Sequence, residues 1–534
     1  MMRYIAKKDI ETITHYLAMI MEGIGISVIV PGIIAIIYNE WNIFIYCLIS
    51  GIISYVIGNI LKKKTKKGYV KLKHGMIISA WAWIWAALVG AMIMYLSVDI
   101  SFLDAFFENM SAWTGGGFTI FLNVEILPKS ILFLRSFEQW IGGIGIIALI
   151  TGILLNSGTP VARLYNAEAR HEKISPSVGN TLKKIIKGYL IFTIIGILLF
   201  IIAGMPIFDS INFTFSSIAT GGMSITNANF GYYNNPVFNI ISIFLMIMGA
   251  TSFLTVYKSI KTKSLDILKD TQFRLMIALI IIMSILILIY TNLSPMDAVF
   301  YTVSAITTTG FTLNTANVVA QWSGFMKFII IVLMFIGGAA GSTSGGFKLI
   351  RFIFLLKNIH KTVLGILSPQ GRIIQTKLRK LAISGEELKE ANAYLSLYII
   401  LIFVGWGIFL AHGFDPLNSL FDVVSAQGNV GISTGVISPT MPDSAKIMTI
   451  INMWAGRLEI IPILVLLSGI YAFFKKSSNS HKKYKNSVNL KNIHSENNNI
   501  KNNNIKNKYN KQNNVKENKN NFHENLKIIN MKDD

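Results

Sequence analysis

The sequence predicts an all-α polytopic membrane protein with ten transmembrane helices: two N-terminal helices, then four pseudo-repeats of helix, re-entrant loop and helix. Three observations predict it. The 534 residues are 52% hydrophobic and 14% charged, with mean hydropathy +0.52, which is too apolar for a soluble domain of this length. A register recurs four times at roughly hundred-residue spacing, the mark of a repeated supersecondary unit. The Lys and Arg residues cluster in alternate loops, as the positive-inside rule requires of a chain that crosses a bilayer repeatedly.

The register reads DAFFENMSAWTGGGF from Asp104, DSINFTFSSIATGGM from Asp209, DAVFYTVSAITTTGF from Asp297 and NSLFDVVSAQGNVGI from Asn418. Each copy has Asp or Asn, then Ser seven residues on, then Gly six residues later, at Gly117, Gly222, Gly310 and Gly431. Caps, acids and Pro near Ser101, Pro206, Ser294 and Asp415 begin a helix there. About three turns follow, too few to span a bilayer. Each copy ends in a strip of small residues around the Gly, the residue that tolerates strained backbone. Non-helical backbone at membrane depth persists only where it is buried in protein or lines a water-filled cavity. Four such strips about one axis would present rings of carbonyl oxygens able to replace the hydration shell of a cation. Four unrelated loops between ordinary helices would not explain the shared register.

Taken in order, residues 1–72 hold the first two spans, 17–37 and 43–61, and nearly all of a dense basic loop with Lys62, Lys63, Lys64, Lys66, Lys67, Lys71 and Lys73. That loop is cytoplasmic by its charge. Repeat 1 is 73–160, with spans at 77–96 and 131–155. Repeat 2 is 161–262, with spans at 185–202 and 237–257. Repeat 3 is 263–390, with spans at 273–290 and 328–341, and repeat 4 is 391–476, with spans at 395–411 and 447–473. The loops this places inside carry Arg163, Arg170, Lys173, Lys183 and Lys184, then Lys258, Lys261, Lys263 and Lys269, then Lys348, Arg351, Lys357, Lys361, Arg372, Lys377, Arg379 and Lys380. Residues 205–236, 291–326 and 412–445 have no Lys or Arg. Asp104, Glu108, Asp209, Asp297, Asp415 and Asp422 lie toward that outer side. Singly, helix capping is their favoured role; together they leave an entrance that attracts cations.

Two features interrupt the spans. Residues 337–346, GGAAGSTSGG, are ten small residues, five of them Gly and three hydroxyl-bearing, which cannot make a firm helix. They are expected to form a cavity-lining loop below the strips rather than a close helix-packing face. Arg457 lies inside the last span, where a charge is costly and has a partner; Glu459 and backbone carbonyls are its bland partners. A place on the axis beneath the strips, bonded to the loop, is its functional one. Residues 477–534 are an Asn/Lys-rich stretch with no sustained apolar period, expected to be a disordered tail. The net charge of +22 therefore reports loops and tail, not nucleic-acid binding. The single Cys47 excludes a disulfide framework and a cysteine metal site. No HExxH or GxSxG occurs, and His74, His171, His360 and His412 are scattered, so a polytopic membrane enzyme is the lesser alternative.

The four strips, GGAAGSTSGGFK at Gly337–Lys348, FEQWIGGIGI at Phe137–Ile146 and WAGRLEI at Trp454–Ile460 together resemble the Trk/Ktr/HKT potassium-uptake superfamily. The two extra N-terminal spans make the Trk membrane subunits the nearest branch, over about residues 17–473. The resemblance implies potassium-channel-like pore units and potassium uptake across the cell membrane, with both termini cytoplasmic and no enzyme activity. It implies a homodimer in the lipid bilayer, each subunit with its own pore, regulated by a cytosolic nucleotide-binding partner of the NAD or ATP type. It implies no organic cofactor, and K+ held by Gly115, Gly116 and Gly117; Thr220, Gly221 and Gly222; Thr308, Thr309 and Gly310; Asn429, Val430 and Gly431. It implies a gate built from Gly337, Gly338, Gly341, Ser342, Thr343, Ser344, Gly345 and Gly346 with Arg457. Na+ or H+ stay open as coupling ions, and a sodium-permeable member is the alternative within the family. Relatives that pass sodium tend to carry Ser at the first strip's Gly, so Gly117 argues for potassium, whereas the TGGGF strip departs from a Thr-rich one.

Overall fold

A computed structural model describes residues 7–145, 178–262, 265–369, 377–378, 381–382 and 385–471, with short helical pieces between 503 and 512. Residues Ala6–Leu466 form one compact unit; Met1–Ile5 and Leu467–Asp534 group apart from it. The expected tail lies outside the described residues except for those pieces. Arg163, Arg170, Lys173, Lys263, Arg372, Arg379 and Lys380 also lie outside them.

The described chain is helical apart from a two-residue ladder, Lys377–Leu378 with Leu381–Ala382. The first expected span is longer than its apolar run: α1, Lys7–Ser27, continues after Val28 into α2, Ile29–Ile37. The next helix, α3, Trp41–Lys64, packs closely along α1. Small residues permit this approach. A Cβ on Gly58 would lie 2.7 Å from the Ala18 carbonyl, and one on Gly51 2.7 Å from that of Gly25.

Four units follow. Their leading helices are Leu72–Ser97, Val178–Ile202, Thr271–Tyr290 and Gly385–Ala411. Their short helices are Phe102–Thr114, Ile207–Ile218, Pro295–Ile306 and Pro416–Gly428. At 12 or 13 residues and about 1.5 Å rise per residue they fall well short of a hydrocarbon core of about 30 Å. Ser101, Ser294 and Asp415 accept a backbone N–H with their side chains at the expected starts, and Pro206 stands at the fourth.

The trailing helices are Lys129–Ile144, Pro236–Ala250, Gly324–Ile336 and Asp443–Leu458. The second, third and fourth depart from the continuous spans that hydropathy predicts; the end of the first expected span, 146–155, lies outside the described residues. The second stops at Thr251 and resumes at Phe253. The third stops at Gly337, where the small-residue segment begins, and helix resumes at Leu349. The fourth stops at Glu459 and Ile460, both with positive φ, before Ile461–Tyr471. Six of the described helices are long and apolar enough to cross a membrane singly. At the breaks of the second and third trailing helices, freed backbone groups bond to one another across units.

Candidate functional site

Each short helix runs into its strip by the same backbone bonds. The N–H groups of Gly116, Gly221, Thr309 and Val430 donate to the carbonyls of Ser111, Ser216, Ser304 and Ser425 at 2.7, 2.9, 2.9 and 2.9 Å. In three strips the same serine's hydroxyl then donates to the carbonyl after the Gly: Ser111 to Phe118 at 2.7 Å, Ser216 to Met223 at 2.8 Å, Ser304 to Phe311 at 2.7 Å. The fourth differs, since Ser425 Oγ accepts from the Gly431 N–H at 3.0 Å. One serine thus clamps both ends of a strip, which is why the Ser-to-Gly spacing repeats.

The first and third residues of every strip have positive φ: Gly115, Thr220, Thr308 and Asn429, then Gly117, Gly222, Gly310 and Gly431, with φ from 51° to 99°. The third position must be Gly for a second reason. A Cβ there would come closer than 3.0 Å to the carbonyl oxygen before the Gly of the next strip: Gly117 to Gly221, Gly222 to Thr309, Gly310 to Val430, and Gly431 to Gly116. The cycle closes. The four strips form a ring in chain order, so tightly drawn that only backbone fits between neighbours. Gly117, Gly222, Gly310 and Gly431 all face a cavity of about 400 Å³, which is also lined by amides and hydroxyls such as Asn227, Asn314, Asn317 and Ser433.

Among its lining residues there is no carboxylate. Five of the six acids placed toward the outer side serve as fasteners. Asp104 receives Lys446 Nζ at 2.6 Å, and the equivalent Asn418 receives Lys327 Nζ at 2.7 Å. Asp209 accepts from the Tyr233 hydroxyl at 2.6 Å, and Asp415 caps its helix through the Asn418 N–H. Glu108 and Asp422, fully buried and equivalent in the register, hold the backbone after the strip. Glu108 accepts from the Ile120 N–H at 2.9 Å and pairs with Arg135 Nε at 2.8 Å. Asp422 accepts from the N–H groups of Thr434 and Ile437 at 2.7 and 3.1 Å and from the hydroxyls of Ser433 and Thr434 at 2.8 and 2.9 Å.

The small-residue segment packs against three of the strips. Its Gly345 N–H donates to Thr308 Oγ1 at 2.6 Å. Thr343 Oγ1 donates to the Gly249 carbonyl at 2.8 Å and meets Thr220 Oγ1 at 3.1 Å. A Cβ on Gly345 would strike the Gly428 carbonyl and Asn429. The break in the second trailing helix receives it: the Ala339 and Thr343 N–H groups donate to the Ala250 and Gly249 carbonyls at 3.0 and 3.1 Å, and the Phe253 N–H donates to the Gly341 carbonyl at 3.0 Å. Arg457 joins this assembly. Its NH1 donates to the Thr343 carbonyl at 2.6 Å, and its NH2 reaches the carbonyls of Gly142 and Gly143, the latter at 3.0 Å. The hydroxyls of Ser342 and Ser344 meet at 2.6 Å. Glu459, a bland candidate for Arg457, pairs with Arg351 instead.

Comparison with known proteins gives this arrangement relatives. The sequence pattern of the TrkH family, described as a cation transport protein, matches residues 43–474. The chain belongs to the TrkH family. It is 42% identical over 469 residues to an uncharacterised cation transporter of Methanocaldococcus jannaschii, covering 88% of this chain and 97% of that one. It is 32% identical over 464 residues to the Trk system potassium uptake protein TrkH of Salmonella typhimurium, covering 83% and 95%. The crystal structure of the potassium transporter TrkH from Vibrio parahaemolyticus superposes with a TM-score of 0.75 at 27% identity, covering 86% and 98%.

In this TrkH-family chain all twelve strip residues come together in the ring, and the segment and Arg457 lie in contact. Sequence reasoning overlooked Gln139. Its Nε2 donates to the Gly221 carbonyl at 2.6 Å and its Oε1 accepts from the Met223 N–H at 3.1 Å, gripping the second strip from the first unit. The only signal was its place in FEQWIGGIGI, a motif that carries the resemblance but states no contact. Glu108 and Asp422 were visible as a pair, both four residues after the register's first residue.

Proposed function

We propose that this chain takes up potassium across the cell membrane through the ring of four strips, as a multi-pass cation transporter with cytoplasmic termini. One observation carries the reading: each strip's third Gly abuts the next strip's backbone, so the narrowest passage is bounded by peptide groups. Peptide oxygens in a ring can replace the water around a dehydrated cation. The names of the relatives support potassium as that cation. Gly115 to Gly117, Thr220 to Gly222, Thr308 to Gly310 and Asn429 to Gly431 are the proposed ligands. Residues 337–346 serve as the gate, held closed through the Arg457–Thr343 bond. The working form is a homodimer governed by a cytosolic nucleotide-binding subunit, and Na+ or H+ coupling is decided by the experiment below.

The test is the reversal potential of the protein reconstituted in vesicles under opposed potassium, sodium and proton gradients. It is expected to follow potassium. Gly117→Ser places a Cβ 2.7 Å from the Gly221 carbonyl and is expected to raise sodium permeation relative to potassium. An unchanged ratio in a well-inserted variant would remove Gly117 from the filter. Deleting residues 339–343 is expected to raise flux per inserted molecule; no acceleration in a folded protein puts the gate elsewhere.

A further inference from the structure

Glu138 lies on the first trailing helix, 1% exposed; the Trp113 indole of the first short helix stands beside its carboxyl group as a donor, outside regular hydrogen-bond geometry. Opposite it stands Asn109 of the first short helix, also fully buried. The Asn109 amide nitrogen donates to the Ala105 carbonyl at 2.7 Å and reaches Met94 Sδ at 3.5 Å. Turning the amide over would set its oxygen against that carbonyl, so the hydrogen-bond network fixes its orientation. Asn109 Oδ1 is therefore left on the other side with no donor. The two oxygens share one small space, because a Cβ built on Gly90 would collide with both Glu138 Oε1 and Asn109 Oδ1.

An ionised carboxylate only accepts, and so does an amide oxygen; a protonated carboxyl donates. Were Glu138 ionised, the Trp113 indole would face it on one side, but Asn109 Oδ1 would bear its desolvation cost with no bond in return and a second acceptor turned on it. We infer that Glu138 is held as the neutral acid, donating its proton to Asn109 Oδ1, and that this bond is a strut positioning the filter ring. The inference rests on the ring as the conducting site. The charged and titratable surroundings agree with it. Glu108, already matched by Arg135, is its acidic neighbour. The thiol of Cys47, on α3, is the other titratable group near it. A carboxylic acid kept neutral so that it can donate is a known use of an apolar site.

The position gives the strut its purpose. Asn109 belongs to the short helix that ends in the first strip, and Glu138 precedes Gln139, which grips the second strip at Gly221 and Met223. One shared proton thus links the supports of two adjacent strips.

Infrared spectra of the full-length protein in lipid, taken against Glu138→Gln, test this. At neutral pH the difference is expected to show a lost protonated-carboxyl C=O band. Glu138→Gln, whose amide can donate as the acid does, is expected to keep the potassium-to-sodium permeability ratio. Glu138→Ala, which removes the donor, is expected to lower it several-fold. A difference spectrum carrying a carboxylate band instead, or a Glu138→Gln ratio lowered like that of Glu138→Ala, overturns the proposal. If Glu138→Ala does not fold, the spectrum and the Glu138→Gln ratio still decide. Gly117→Ser, which disturbs the ring directly, separates the two readings: an unmoved ratio there sinks the ring as the conducting site and leaves the proton assignment standing.

Discussion

In the third strip, side chains do the fastening. The hydroxyls of Thr307 and Thr309 meet at 2.8 Å, and Thr308 Oγ1 accepts from the Gly345 N–H of the small-residue segment. In the first strip the equivalent residues are Thr114, whose hydroxyl donates to the Met110 carbonyl of its own helix, and Gly115 and Gly116, which have nothing to fasten with. Its security comes from behind and beyond: Ser111 on the Phe118 carbonyl, Glu108 on the Ile120 N–H, and Arg135 spanning from Glu108 to the Ser224 carbonyl of the second unit at 2.9 Å. The two strips nevertheless share their backbone bonds and their signs of φ. The ring geometry is therefore a property of the backbone and its serine clamp, and each unit is free to brace that geometry by different means. The second and third units also turn a strip side chain, Thr220 and Thr308, to the segment proposed as the gate; the first, with Gly115 there, has none to offer.

The largest effect should come from the brace of the first strip. Glu108→Gln leaves Arg135 buried without its carboxylate, a change expected to cost about 3–5 kcal/mol. Thermal unfolding of the purified protein measures it. Asp422→Asn is the matched control: it accepts only from neutral donors, so about 1–3 kcal/mol is expected. Equal losses would show that Arg135 contributes nothing special to the first unit.

The same contrast marks what could be read from the sequence. The ring was legible because its parts are chemically obligatory and local: a Ser and a Gly at fixed spacing, and a cap at each helix start. The breaks in the trailing helices were not. The apolar run passes through Thr251 without interruption, and the carbonyls freed there are satisfied by the Ala339 and Thr343 N–H groups from another unit. Hydropathy registers burial and is blind to a helix end repaired across such a distance. Gln139 and the Lys446–Asp104 pair escaped notice for the same reason. Among the acids, capping was the role expected singly and Asp415 fills it; the donors of Asp104, Glu108, Asp209 and Asp422 come from beyond their own helices and were not legible.

A smaller effect should come from the third strip's link to the segment. Thr308→Val leaves the buried Gly345 N–H without its acceptor, at a cost of about 1–3 kcal/mol to that contact. Potassium flux per inserted molecule is expected to rise, with the permeability ratio held, because the serine clamp and Gly310 are untouched. A changed ratio with unchanged flux would make Thr308 a part of the filter alone.

The smallest effect should come from giving the first strip what the others have. Gly115 has φ 70°, close to the 51° and 56° that Thr220 and Thr308 already adopt. A Cβ on Gly115 finds its nearest atoms at 3.8 Å, the Gly221 Cα and the Thr220 oxygen, an ordinary van der Waals separation. Gly115→Thr should therefore fit. Its cost is the left-handed backbone, about 1–2 kcal/mol for a residue with a side chain. The Gly116 N–H bond to Ser111 and the Gly117 approach to the second strip do not involve the new side chain. Stability should fall by about that amount, and the permeability ratio should stay where it was. A ratio that sharpens toward potassium would mean that the glycines leave the first strip loose and that the brace behind it is not sufficient. A ratio that collapses would mean that the first strip's backbone must move as ions pass, a freedom the other three strips, with Thr or Asn at this position, do not have.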